Sequence, residues 1–265
     1  MTLIQIVVLA LIQGLTEFLP VSSSAHLILG SVVFAWPDQG LVFDVATHLG
    51  TLLAALVYFR RDWLDMAGAC LKPPQTSEDR RHRKMAMLIA LATLPALLVG
   101  GLAPDFVEKY LRDITVIAWT TVGFGLLLGL VEWFAPKSRT VESIGLRDAV
   151  WIGLAQACAL VPGVSRSGIT ITAGRLLSLS PDAAARFSFL LAVPIIAAAG
   201  TFGIYRVAAG NAGIDWAQFG LALLLSFLAG WVCIAAFLAL LRRVGLMPFV
   251  IYRLALGAAL FWLLY

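Results

Sequence analysis

Six stretches of this chain are apolar over about 20 residues, the length that an α-helix needs to cross the hydrocarbon core of a bilayer. They lie at roughly 41–59, 85–103, 115–134, 186–206, 217–241 and 248–265. Only 13% of the residues are charged, whereas soluble domains carry about 25%. The sequence therefore predicts an all-α polytopic membrane protein with six transmembrane helices, built as a single integral membrane domain over residues 1–265.

The basic residues lie in the short connections between these stretches and predict the orientation of the chain. The segment 60–84 is the most basic of them, with Arg60, Arg61, Lys72, Arg80, Arg81, Arg83 and Lys84. By the positive-inside rule this segment is cytoplasmic, and alternation then places 135–147 and 242–247 on the same side. The connections 104–114 and 207–216 are predicted to be external. A net charge of +4 distributed in this way does not indicate a surface that binds nucleic acid.

Two further apolar regions are interrupted, and their halves are too short to cross the membrane. Residues 1–36 are broken at Pro20–Ser24, and residues 148–180 are broken at Pro162–Gly168. Non-helical backbone at membrane depth is tolerated only where protein or a wet cavity surrounds it. Each region is therefore predicted to be a re-entrant helix–loop–helix, the first on the external side and the second on the cytoplasmic side.

The two interrupted regions also share residues at a constant offset. A shift of 143 positions aligns identical residues in both: Gln13 with Gln156, Val21 with Val164, Ser22 with Ser165, and Ser24 with Ser167. Three spans separate the two copies, so they run through the membrane in opposite directions. The chain is therefore predicted to be an inverted-topology repeat, with copies at approximately 1–134 and 148–265, in which broken helices meet near the midplane.

The first interrupted stretch, QGLTEFLPVSSSAH from Gln13 to His26, places ionisable and hydroxyl groups at membrane depth. A central charge costs about 2.5–3.5 kcal/mol on insertion scales, so such residues indicate a functional site. Pro20 ends one half-helix, and Ser22 suits the N-cap of the next. The first turns of that second half-helix then carry three polar residues: Ser23, Ser24 and His26.

The second interrupted stretch, QACALVPGVSRSGIT, has the same arrangement, with Pro162–Gly163 as its break and Ser165 as its N-cap. Two helix N-termini that converge near the midplane make an anion site, and phosphate is the obvious ligand for it. Arg166, which is flanked by Ser165 and Ser167, adds a guanidinium whose geometry suits phosphate oxygens. The pair of breaks therefore predicts a phosphate-binding site.

A carboxylate beside an anion site needs a counter-charge. Gln13 and Glu17 are four residues apart and share one face of the first half-helix. A divalent cation, Mg²⁺ or Ca²⁺, would bind oxygen ligands from both a carboxylate and a phosphate. His26 is a candidate general acid or base, and a serine at the helix start beside it is a candidate nucleophile.

The two motifs QGLTEFLPVSSSAH and PGVSRSGIT resemble those of the undecaprenyl-diphosphatase family, the bacitracin-resistance phosphatases of bacterial inner membranes. The resemblance extends to FSFLLAVP and to the C-terminal PFVIYR, so it covers nearly the whole chain. It implies hydrolysis of a polyprenyl diphosphate lipid, undecaprenyl diphosphate, to the monophosphate and phosphate, which recycles the lipid carrier for peptidoglycan synthesis. It also implies a divalent-metal requirement and a site open toward the periplasm.

The resemblance also implies roles for individual residues. The family's acidic motif falls on Gln13 and Glu17 as metal ligands, its histidine on His26, its proposed nucleophile on Ser23 and its phosphate-binding arginine on Arg166. Many members have glutamate where this chain has the amide of residue 13, so Glu17 is expected to be the main carboxylate. Five hydroxyl residues are candidates for substrate contact, although helix capping alone would explain serine at several of them: Ser22, Ser24, Ser165, Ser167 and Thr170.

Several alternatives stay open at this point. Phosphoryl transfer can pass through a phosphoserine at Ser23, or a water molecule activated by Glu17 or His26 can attack directly. A secondary transporter or lipid flippase is the alternative function, because inverted repeats with broken helices are typical of transporters. Asp44 and His48 either line the cavity or form a buried polar pair. The oligomeric state, including a homodimer, is also open.

Overall fold

The computed structural model describes residues 1–102, 113–210 and 213–264, and the regular elements in these ranges are helices. The α-helices are α1 (Leu3–Phe18), α2 (Ser23–Phe34), α3 (Gly40–Tyr58), α4 (Arg60–Leu71), α5 (Ser77–Leu102), α6 (Ile114–Phe134), α7 (Leu146–Ala157), α8 (Arg166–Leu176), α9 (Pro181–Ala209), α10 (Trp216–Val244) and α11 (Met247–Leu264). Most of the predicted external connection 104–114, together with residues 211–212 and 265, lies outside the described residues.

Six of these helices are long and apolar enough to cross a membrane: α3, α5, α6, α9, α10 and α11. They coincide with the six predicted spans, so the predicted fold class of an all-α polytopic protein is confirmed. Two of the helices begin earlier than predicted, because polar residues form their first turns: α5 begins at Ser77 and α9 at Pro181. The re-entrant paths and the opposite orientation of the two copies stay predictions.

The predicted cytoplasmic connection 60–84 contains a helix that the sequence analysis missed. Helix α4 follows α3 directly and packs on α5, with Met66 and Ala69 buried. Its first six residues include Arg60, Arg61 and two aspartates. The helix was missed because this density of charge is typical of a polar connection. The apolar residues of the segment nevertheless recur at a helical spacing.

Both interrupted regions are helix–break–helix units whose second helix starts in the same way. Ser22 precedes α2 with a φ of 72°, and Ser165 precedes α8 with a φ of 70°. Each side chain hydrogen-bonds the serine two positions later, at 3.1 Å for Ser24 and 3.3 Å for Ser167. A left-handed backbone at a non-glycine residue costs about 1–3 kcal/mol and tends to mark functional sites. In both regions a second helix therefore begins after the break, as predicted. The two serines that precede these helices are 143 positions apart and have the same backbone conformation.

Glycines let α10 approach α1 and α3 closely. A Cβ atom on Gly14 would lie 2.6 Å from the Cβ of Ala229, and one on Gly50 would lie 2.4 Å from the carbonyl oxygen of Leu223. Small residues at such contacts are typical of helix association in membranes, where close backbone packing replaces the hydrophobic effect. The broken helix α1, which carries the predicted acidic motif, is thereby packed closely against a full-length span.

A buried arginine of α11 binds the backbone at the breaks. Arg253 is fully buried, and its guanidinium donates to the carbonyl oxygens of Gly163 at 2.9 Å, Val164 at 2.9 Å and Thr121 at 3.1 Å, and more weakly to that of Pro20 at 3.5 Å. Helix breaks leave carbonyls without intrahelical partners, and inside a membrane protein those carbonyls need donors from other elements. Arg253 supplies such donors to both interrupted regions.

Candidate functional site

The carboxylate of Glu17 lies where the two interrupted regions meet. Its Oε1 accepts a hydrogen bond from Nη2 of Arg166 at 2.9 Å, and its Oε2 accepts from Nε2 of Gln13 at 2.9 Å and from Oγ of Ser23 at 3.0 Å. Glu17 lies in the last turn of α1, Ser23 begins α2 and Arg166 begins α8. The folded chain therefore gathers three other predicted site residues around the buried carboxylate of Glu17.

Arg166 is held in place by α9 as well as by Glu17. Its Nη1 donates to the carbonyl oxygen of Ser188 at 3.3 Å, and the hydroxyl of Ser188 lies 2.7 Å from the hydroxyl of Thr170. Ser188 is fully buried and was not predicted as part of the site. The available signal was a lone serine inside the otherwise apolar segment FSFLLAVP.

Four of the five predicted substrate-contact residues are buried and bonded to other protein groups. Ser165 accepts a hydrogen bond from the backbone N–H of Gly168 at 3.1 Å, and Ser167 donates to the carbonyl oxygen of Leu19 at 2.8 Å. The second of these bonds ties the start of α8 to the end of α1. The four buried residues are Ser22, Ser165, Ser167 and Thr170, whereas Ser24 is half-buried. Capping and cross-linking of the breaks thus account for most of these hydroxyls.

His26 is bound by a tyrosine that the sequence analysis did not assign to the site. Its Nδ1 lies 2.7 Å from the carbonyl oxygen of Ser22, and its Nε2 lies 2.6 Å from the hydroxyl of Tyr252 in α11. A carbonyl oxygen only accepts, so Nδ1 carries the hydrogen, and in the neutral ring Nε2 accepts from the tyrosine. Within the described residues Ser23 and His26 are not hydrogen-bonded to each other, and the partner of Ser23 is Glu17.

The surroundings of Gln13 bear on the predicted metal. Its Nε2 faces Glu17 and lies 3.4 Å from Nε2 of His48, whereas its Oε1 is buried without a hydrogen-bond partner. A buried acceptor without a donor costs about 1–3 kcal/mol, and a cation would satisfy it. Together with the carboxylate of Glu17 and the hydroxyl of Ser23, this Oε1 is the type of oxygen ligand that Mg²⁺ and Ca²⁺ prefer. The described residues hold no cluster of three or more His, Cys, Asp or Glu, so phosphate oxygens would have to supply further ligands.

Asp44 and His48 lie at the edge of this site. His48 is bonded through Nδ1 to the carbonyl oxygen of Asp44 at 2.7 Å, which leaves Nε2 facing Gln13. Both residues line a small cavity of about 170 Å³ together with Arg206. The described lining of this cavity includes none of Glu17, Ser23 and Arg166, so a role for Asp44 and His48 in the site stays a prediction.

The chemistry available at this site follows from its charges. The guanidinium of Arg166 balances Glu17, and the N-termini of α2 and α8 add partial positive charge. A hydroxyl that donates to a carboxylate can pass its proton to that carboxylate as it attacks an electrophile. The arrangement is therefore suited to binding an anionic group and to activating Ser23 beside it.

Comparison with known proteins gives one consistent result. A family model described as bacitracin resistance protein BacA matches residues 6–259. Three relatives carry the name undecaprenyl-diphosphatase: that of Colwellia psychrerythraea is 51% identical over 99% of both chains, that of Alcanivorax borkumensis is 50% identical over 98% of both, and that of Hahella chejuensis is 49% identical over 100% of this chain and 99% of the relative.

Proposed function

Since the chain belongs to the bacitracin resistance protein BacA family, we propose that it is an undecaprenyl-diphosphatase. It is a multi-pass membrane hydrolase that converts undecaprenyl diphosphate to undecaprenyl phosphate and phosphate. The reaction returns the lipid carrier to peptidoglycan synthesis and confers resistance to bacitracin. We place the enzyme in the bacterial inner membrane with its site toward the periplasm, as the resemblance to the family implies. A homodimer stays a prediction.

The single observation that carries the assignment of the site is the pairing of Ser23, Glu17 and Arg166. A hydroxyl at the N-terminus of a helix donates to a carboxylate whose other oxygen is bonded to a guanidinium. A transporter needs an anion site, but it has no use for a hydroxyl that is paired with a base. This pairing favours a hydrolase over the transporter or flippase alternative.

The proposed reaction has two steps at Ser23. Its Oγ attacks the terminal phosphorus and passes its proton to Oε2 of Glu17. The bond from that phosphorus to the bridging oxygen breaks, and undecaprenyl phosphate leaves with the electron pair. Water then attacks the phosphoserine, the bond from phosphorus to Oγ breaks, and Oγ regains the proton that Glu17 holds. Phosphate is released carrying the oxygen and the protons of the water. Direct attack by water that Glu17 activates is the rival route.

Arg166 and the helix starts supply the electrostatic part of this mechanism. Charge that develops on the phosphoryl oxygens is stabilised by donors that are already oriented, so little reorganisation is needed during the reaction. Arg166 is oriented by the carbonyl oxygen of Ser188 and by Glu17. The remaining N–H groups of its guanidinium can donate to the phosphoryl oxygens while these two bonds hold the side chain.

A divalent cation fits beside Glu17, with Gln13 as its second protein ligand. When bound there it would neutralise charge on the diphosphate oxygens. The buried and unpartnered Oε1 of Gln13 supports this site. His26 and Tyr252 form a hydrogen-bonded pair one helical turn beyond Ser23, and we assign them to proton donation. When Nε2 of His26 carries a proton it donates to the oxygen of Tyr252, and the tyrosine hydroxyl can then donate to a phosphate oxygen of the substrate.

The test is phosphate release by the purified protein in detergent with undecaprenyl diphosphate as substrate. Wild type should release phosphate, and Glu17→Ala and Arg166→Ala should each lose most of that activity. Arg243→Ala, which alters an exposed arginine at the end of α10, is the control and should keep it. Unchanged release in both site variants would refute the site assignment. No release by wild type, together with lipid translocation in vesicles, would favour the flippase.

A further inference from the structure

An apolar groove runs along the surface between α2 and α11. It has a volume of about 450 Å³, and its described lining includes Gly30, Val33, Phe34, Ala259, Trp262 and Leu263. Among the side chains that the structure describes, the polar ones that reach it are the indole of Trp262 and the imidazole of His26. The groove is therefore a hydrocarbon-lined channel with a site residue at one end.

The direction of the groove follows from helical register. His26, Gly30 and Val33 share one face of α2, and Tyr252, Ala259 and Leu263 share one face of α11. The hydrogen bond between His26 and Tyr252 joins the two faces. Because α2 begins at Ser23, the groove starts about one turn from the candidate nucleophile and continues to Phe34 at the end of the helix.

We propose that this groove holds the first isoprene units of the substrate, those attached directly to the diphosphate. The inference rests on the proposed function, because it takes the polyprenyl diphosphate as the occupant. In such a lipid a charged diphosphate is bonded directly to an apolar chain. Its binding site must therefore pass from polar residues to apolar residues over an equally short distance. Along α2 that change occurs between the hydroxyl of Ser23 and the apolar residues beyond His26.

The length of the groove limits how much of the chain it holds. The eight residue-to-residue steps from His26 to Phe34 rise by about 12 Å at 1.5 Å each. This length accommodates only the first few isoprene units, so the rest of the undecaprenyl chain lies among the bilayer lipids. The enzyme should therefore distinguish a one-unit prenyl diphosphate from a long one through the groove, and should not distinguish among long ones.

The proposal is tested by a substitution that fills the groove with a large side chain. Ala259→Trp places a large side chain in it, whereas Ala258→Trp places the same side chain at an adjacent exposed position that does not line it. We compare kcat/KM for undecaprenyl diphosphate with kcat/KM for dimethylallyl diphosphate, which has one isoprene unit. The preference for the long substrate should fall about tenfold or more in Ala259→Trp, which equals about 1.4 kcal/mol, and should be unchanged in Ala258→Trp.

If the groove holds something other than the prenyl chain of the substrate, the same experiment gives a different result. An unchanged preference in Ala259→Trp would mean that ordinary membrane lipid fills the groove, and would overturn the proposal. An unchanged preference with an altered oligomeric state in detergent would make the groove an interface between copies, and would also overturn it. No phosphate release by wild type from either substrate would instead refute the proposed function.

A second measurement, photo-crosslinking, uses the wild-type protein and so does not depend on whether a variant folds. A long prenyl diphosphate with a diazirine on its second isoprene unit is photolysed with the wild-type protein, and the labelled peptides are identified. Labels should fall on α2 and α11 and should be displaced by unlabelled undecaprenyl diphosphate. Displaceable labels confined to other helices would overturn the proposal.

Discussion

Glu17 and Arg166, which are 149 positions apart in the chain, form an ion pair at 2.9 Å between the end of one broken helix and the start of another. Their side chains are 8% and 12% exposed, so each charge depends on the other for compensation. Removing one partner of a buried pair is strongly destabilising, because it leaves an uncompensated charge. The pair that we propose to be catalytic is therefore also a structural link between the two interrupted regions.

A double-mutant cycle tests this dual role. Glu17→Ala and Arg166→Ala should each lower the free energy of unfolding by about 3–5 kcal/mol. The double variant should lose clearly less than the sum, because it leaves neither charge buried alone. All three variants should lose phosphate release, by a factor of about 10² or more. Additive losses of stability would show that the two side chains do not interact in the folded protein.

The hydrogen bond from Ser23 to Glu17 predicts which serine becomes phosphorylated. With substrate carrying ³²P in its terminal phosphate, rapid acid quenching should trap labelled protein from wild type and from Ser24→Ala. Ser23→Ala should give no label, because the hydroxyl of Ser24 is bonded to Ser22 and not to a base. The absence of label from every variant at every quench time would instead favour direct attack by water.

The bond between Tyr252 and His26 predicts a coupled loss of rate. Removing the hydroxyl in Tyr252→Phe deletes one hydrogen bond, with a net value of about 0.5–1.5 kcal/mol, and should lower kcat by a factor of about 2–10. Adding this change to His26→Ala should cost nothing further, because the partner is already absent. Tyr205→Phe, at an exposed position in α9, is the control. Independent losses in the double variant would mean that Tyr252 acts without His26.

Arg253 should matter for folding more than for chemistry. Arg253→Met keeps much of the side-chain volume but removes the donors to the carbonyl oxygens of Gly163 and Val164. Each buried carbonyl left without a donor costs about 1–3 kcal/mol. The variant should therefore unfold at a clearly lower temperature than wild type in detergent, whereas Arg243→Met, at an exposed position, should match wild type. Equal melting temperatures in the two variants would contradict this account.

An ion pair outside the six spans predicts a pH dependence of stability. Arg139 donates to both carboxylate oxygens of Asp148, at 3.0 and 2.6 Å, and these hydrogen bonds hold the pKa of Asp148 below its ordinary value. A lowered carboxyl pKa contributes stability above the unfolded-state pKa of about 3.9, and that stability is lost as the pH falls through the folded-state pKa.

The test is the melting temperature of wild type and Asp148→Asn as a function of pH. Asp148→Asn should melt lower than wild type at pH 7. The difference should shrink as the pH falls below about 4, where the unfolded chain binds a proton at Asp148, and should vanish below the lower folded-state pKa. A difference that stays constant down to the lowest pH measured would mean that the ion pair does not contribute to stability.

The sequence predicted those features that depend on local pattern. Hydropathy located the six spans, and the serines after each break identified where α2 and α8 begin. It did not predict that His26 pairs with Tyr252, because these residues are 226 positions apart and a tyrosine in an apolar span is ordinary. The proximity of Ser188 to Arg166 was missed for the same reason. Contacts of this kind depend on how the helices pack, and hydrophobic periodicity leaves that packing open.

The bonds that Arg253 makes also limit how the molecule can move. One guanidinium binds carbonyl oxygens of Gly163 and Val164 in the second predicted copy and of Thr121 in the first. Rocking of one copy against the other, the motion by which inverted-repeat transporters alternate their access, would pull these groups apart inside an apolar interior. These bonds therefore favour a rigid protein around the candidate site. In such a protein the lipid substrate moves to and from the site, and the helices keep their positions.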